Sequence, residues 1–148
     1  MAALRVPQPR SVAAQWLAVL LPGQLARDET VVGLVWATVD LERTVDEAEA
    51  PFLLVDRDRI LGGRVARLRY GALDLLVEEP DTEARLAANL SRFGEGLAAW
   101  YVQGAGSRGT AGPAGGPSRP LPTPLDRPGF LRSPEFPWGP FIIVVGPR

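Results

Sequence analysis

The chain of 148 residues has no cysteine and no histidine. Without cysteine there is no disulfide framework and no thiol chemistry. Without histidine there is no imidazole acid–base catalysis and no imidazole metal ligand. Lysine is missing as well, since all 16 basic residues are arginine. We read that as a bias of codon usage or thermal adaptation rather than a functional device. A net charge of −1 gives no long-range pull toward nucleic acid or anionic lipid, so neither is expected as a partner. Long hydrophobic runs are also scarce. Val12–Leu21, broken by Gln15, is too short to span a bilayer. Arg5 and Arg10 precede it in the manner of a signal peptide, but Leu25-Ala26 offers no small-x-small cleavage site. The expectation is a short packing helix over Ser11–Leu21, stopped by Pro22-Gly23, in a cytoplasmic protein.

What is present is an apolar content of 46%, normal for a globular domain with a real core. Val31–Leu41, VVGLVWATVDL, reads as a covered strand running into a helix cap. Its β-branched and aromatic residues favour a pleat, and Asp40 fits an N-cap. Leu41, Val45 and Ala48 then fall on one helical face before Pro51. Phe52–Val55 is a short strand, and Asp56-Arg57-Asp58-Arg59 a charged turn. Ala66, Leu68 and Tyr70 alternate with Arg67 and Arg69, then turn at Gly71-Ala72 into a strand with Leu73, Leu75 and Val77 on one face. Asp74, Leu76 and Glu78 line the other. Pro80-Asp81 is expected to start a helix carrying Leu86, Leu90 and Phe93, with Gly94 as its cap. Leu97–Val102 is a further strand. Gln103–Pro140 then holds 8 of the 16 glycines and 9 of the 15 prolines, so little regular structure is expected there. Phe141–Val145, FIIVV, is too apolar for a loose tail and should return to the sheet. The expected organisation is an arm over residues 1–30, a module over 31–102, a Gly/Pro crossover over 103–140 and a final strand over 141–148.

LVWATVDLERTVDEA, GRVARLRYGALDLLVEEP and RFGEGLAAWYV, taken in that order and spacing, resemble the vicinal oxygen chelate superfamily, the glyoxalase and bleomycin-resistance fold. The resemblance covers about half the chain. It implies an α+β fold, a βαβββ module with a mixed, mostly antiparallel sheet. It also implies a metal site, with a first ligand at Gly33 and another near Asp74. Glycine has no side chain to coordinate, and one carboxylate is not a metal site. The second module looks eroded, with only FIIVV remaining. We therefore expect no metal and no cofactor.

Trp36, Asp74, Glu95, Trp100 and Tyr101 are the candidates for a ligand pocket, since aromatics often cover ligands. Core packing is the plainer explanation for Trp36. Asp74 and Glu78 can pair as acid and base; the plainer reading is a solvated strand face. Arg64, Arg67 and Arg69 form a candidate anion row, against simple cross-strand pairing with Glu78-Glu79. GAGSRG at Gly104–Gly109 lacks the Lys-Ser/Thr ending of a phosphate loop. PLPTPLDRP can adopt polyproline II; a linker is simpler. The function expected from all this is small-molecule binding without catalysis, in a homodimer that closes the cupped sheet. The alternatives are a metal-dependent enzyme with carboxylate ligands alone, or a purely structural subunit.

Overall fold

The computed structural model describes residues 29–70, 72–104, 120–132 and 136–146. The expected helix over Ser11–Leu21 lies outside them. In chain order the elements are β1 (Glu29–Ala37), α1 (Leu41–Ala48), β2 (Leu53–Asp58), β3 (Gly63–Tyr70), β4 (Leu73–Pro80), α2 (Arg85–Phe93), β5 (Gly96–Gly104), β6 (Leu121–Pro122), β7 (Pro128–Leu131) and β8 (Phe141–Val145).

The strands form a single curled sheet in the order β2-β3-β4-β1-β5-β8-β7-β6. The β1–β4 and β5–β8 pairs are parallel and the remaining pairs antiparallel. The α+β class and mixed sheet are as expected. The second half is fuller than expected. Four strands, β5 to β8, repeat the pairing pattern of β1 to β4 across the β1–β5 seam. Short β6 and β7 arise within the Gly/Pro segment, because Gly129 and Leu131 pair with β8. The sheet is therefore completed within one chain.

Local choices explain most boundaries. The Asp40 side chain accepts the Arg43 amide at 3.1 Å and caps α1. Gly94, at φ 76, closes α2 where most other residues would be strained. The helix expected at Pro80 starts only at Arg85, because Glu79 and Pro80 still pair with Arg64 and Gly63 of β3. A residue before proline is held extended, which favours the strand.

Side chains alternate across the sheet, giving two faces. The inner face carries Val35, Leu76, Tyr101, Phe141 and Ile143. It is closed by Ile60 and Leu61 of the β2–β3 turn, by Leu86 of α2 and by Leu125. The outer face carries Leu34, Leu75, Trp100 and Val144, and further along Val77, packed with Leu41 of α1.

Candidate functional site

β4 positions two carboxylates on the concave inner face of the sheet, the hollow that the core side chains fill. Asp74, Leu76 and Glu78 share the inner face, and both acids are buried. The expectation of a solvated strand face is thus corrected: the sheet curls, and the 60–61 turn, α2 and Leu125 cover what would otherwise be open.

Glu78 sits opposite Ala37 of β1 in the register. Neither of its oxygens has a hydrogen-bond partner among the described residues. Burial, and then the adjacent Asp58 carboxylate, push its pKa well above the ordinary carboxylate range. Asp58 is better served. Its Oδ1 accepts the amides of Ile60 and Leu61, each at 2.9 Å. Its Oδ2 accepts the hydroxyl of Tyr101. Burial, then the charges of Asp58 and Glu78, raise the Tyr101 phenol well above its usual value. The three groups form an interior of two acids and a phenol, in which Glu78 and Tyr101 are held toward their neutral forms.

The DRDR setting of Asp58 reads as a charged turn. The structure puts it at the end of β2, 1% exposed, while Arg57 and Arg59 face solvent. A signal was present: an aspartate side chain commonly accepts the backbone amide two residues on, here that of Ile60.

Asp74 has a different setting. Its Oδ1 accepts from Arg67 Nε at 3.0 Å, and Arg69 Nε lies 3.7 Å away. Arg67 continues through Nη1 to the Pro124 carbonyl at 3.0 Å and Asp126 Oδ2 at 3.1 Å. Arg64 is absent from this end. It lies on the opposite face of β3 and pairs with Glu42 and Glu79 near α1, so the expected arginine row is split.

The expected aromatic pocket is not assembled. Trp36 packs with α1 and Trp100 belongs to the outer core, while Tyr101 alone faces the hollow. Glu95 is also elsewhere. Its Oε2 accepts from the Thr38 hydroxyl at 2.6 Å, the Val39 amide at 2.9 Å and Arg43 at 2.7 Å. Burial alone would raise its pKa. The Thr38 and Val39 hydrogen bonds and the Arg43 charge outweigh that and hold it below the usual range. Glu95 therefore pins β5 to the start of α1.

The residues present do not fit the metal centre that the fold resemblance implies. Gly33 has no side chain; a Cβ added there would stand 3.2 Å from Tyr101 Cβ and 3.5 Å from Leu125 Cδ1. Asp74 is committed to arginine. Elsewhere, Asp40, Glu42 and Glu79 bring carboxylate oxygens within 4.8 Å of one another. Each already has a local duty: Asp40 caps α1, Glu42 pairs with Arg64, and Glu79 accepts the Leu41 amide at 3.0 Å. No helix among the described residues is long and apolar enough to cross a membrane.

No family model and no curated protein matches the chain. Solved structures do. A methylmalonyl-CoA epimerase from Mycobacterium tuberculosis is similar at TM-score 0.59 and 16% identity, covering 86% of this chain and 95% of its own. A methylmalonyl-CoA epimerase in complex with methylmalonyl-CoA and ammonium is similar at TM-score 0.59 and 19% identity, covering 78% and 92%. A hypothetical protein from Bacillus halodurans C-125 gives TM-score 0.57 at 13% identity, covering 82% and 96%. The likeness runs over both halves of the sheet and not over one module alone, and this chain has the glyoxalase-like fold.

Proposed function

We propose that this chain binds a small molecule in the hollow of its sheet and does not convert it. The observation carrying this reading is Glu78, fully buried beside Asp58, with neither oxygen reached by a donor among the described residues. A buried polar group without a partner needs an explanation, and a missing ligand is a natural one. The epimerase complex with methylmalonyl-CoA supports small-molecule binding for the fold. The non-catalytic part of the reading is supported by Gly33 and Asp74, whose positions hold no metal ligand set. A thermal-shift panel of small acids, amides and aromatics tests it, because a ligand that binds the folded state raises the melting temperature. We expect at least one compound to raise it in the wild type and less in Glu78→Gln. A flat response would favour a structural role.

One observation favours catalysis instead. A buried carboxyl held in its neutral form beside a second carboxyl is a pattern of acid–base sites, and Glu78 stands so beside Asp58. Turnover of methylmalonyl-CoA by the wild type, lost in Glu78→Gln, would establish that reading.

Homodimerisation now rests on a different surface. Because β8 completes the sheet, no second chain is needed to close the hollow. Edge strand β2 instead exposes Leu53 and Leu54 at 70% and 74%, and such edges recruit further strands. Light scattering should show a dimer; a monomer throughout the micromolar range would refute it.

A further inference from the structure

The hollow is closed at its Asp74 end by the chain's own 123–127 turn. Leu125 is 1% exposed and packs in the inner core. Gly33 lies close by, where an added Cβ would stand in ordinary contact with Leu125 Cδ1 at 3.5 Å. The next residue, Asp126, has a side chain 88% exposed apart from its contact with Arg67. The turn is held internally and at its far end by Arg127, whose Nη1 donates to Gln103 Oε1 and to the Gly146 carbonyl at 3.1 Å. Thr123 Oγ1 donates to the Arg127 carbonyl at 2.6 Å and accepts the Leu125 amide at 3.2 Å. Asp126 takes the left-handed φ of 63, which aspartate tolerates. The polar ties of the turn to β3 are the two Arg67 bonds, to Pro124 and Asp126.

We infer that this turn is a displaceable plug, and that the ligand it stands in for is a short branched aliphatic carboxylate, its carboxylate on Arg67 and its alkyl group in the seat of Leu125. The inference rests on the small-molecule reading of the hollow and adds the ligand's chemistry. Leu125 and Asp126 present an isobutyl group and a carboxylate side by side. When the turn withdraws, Arg67 keeps Asp74 through Nε and offers Nη1 to the opening. Arg67 and Arg69 together exceed Asp74 by one positive charge, which suits a single anion. Charge-assisted bonds to guanidinium are the strong kind. An amide of the same shape leaves that charge without its counter-ion, and a bare phosphate leaves the apolar seat empty.

Calorimetric titration with 4-methylpentanoate, against 4-methylpentanamide and inorganic phosphate, tests this. We expect the carboxylate alone to bind. Asp126→Asn, a surface change that leaves the core intact, should tighten binding about two- to fivefold, the scale of an exposed ion pair. Leu125→Ala should tighten it more than about tenfold, because the closed state loses its buried plug. Leu125 methyl resonances should move to solvent-exposed positions on saturation. If panel compounds bind but neither substitution changes their affinity, or the amide binds as well as the acid, the plug is overturned and the hollow reading stands. If nothing binds to the wild type or to either variant, both are overturned.

Discussion

At one end of the hollow Asp74 meets two arginines; at the other, Glu78 meets a second carboxylate and a phenol. The two acids share one face of one strand, with Leu76 between them. Their chemistry differs because of what the rest of the chain brings across. Arg67 and Arg69 alternate with inward spacing on β3 and reach Asp74. The residue opposite Glu78 on that strand is Val65, which offers nothing. A charge held by guanidinium stays charged, whereas one facing a like charge in a dry interior is better kept as the neutral acid. The Asp74 end is built like a clasp and the Glu78 end like a proton store.

The largest blow to the comparison is Asp58→Ala. It leaves the Ile60 and Leu61 amides and the Tyr101 hydroxyl without an acceptor, and we expect a loss of roughly 3–5 kcal/mol in urea unfolding. Glu78→Gln sharpens the comparison. The unfolded carboxyl ionises near 4.5 while the folded one stays protonated, so above that pH the folded state holds the extra proton. Wild-type stability should be full below the unfolded value and fall as pH rises toward the folded one, by about 1.4 kcal/mol per pH unit from this group. Glu78→Gln should remove that slope, matching the wild type in acid and exceeding it at neutral pH. Arg67→Met attacks the other end and should destabilise by about 2 kcal/mol, since Asp74 is left buried with only the half-exposed Arg69. Gly33→Ala is the mildest change. Its Cβ contacts at 3.2 and 3.5 Å should be absorbed for about 1 kcal/mol or less in thermal unfolding.

Legibility in the sequence followed the range of the interactions. The Asp40 cap, the β3–β4 alternation and the Gly94 stop are local, and they read correctly. So did the return of FIIVV, whose five apolar residues are all buried. The inner face of β4 did not. Alternation says that Asp74 and Glu78 share a face, but only the curl of the sheet and the distant Leu125 turn decide that this face is dry. Asp58 was missed for the same reason, because its partner Tyr101 lies 43 residues away. The aromatics Trp100 and Tyr101 were grouped although neighbours on a strand point to opposite sides. The C-terminal half was underread because proline and glycine mask short strands that exist only by pairing with β8.

Carbon-13 NMR of the Glu78 side-chain carboxyl through a pH titration reads the protonation on which the binding proposal most directly rests. We expect the neutral acid to persist well above the ordinary carboxylate range. A Glu78 carboxyl that titrates near 4.5, in step with exposed glutamates, would contradict the dry, unpartnered site on which the binding proposal rests.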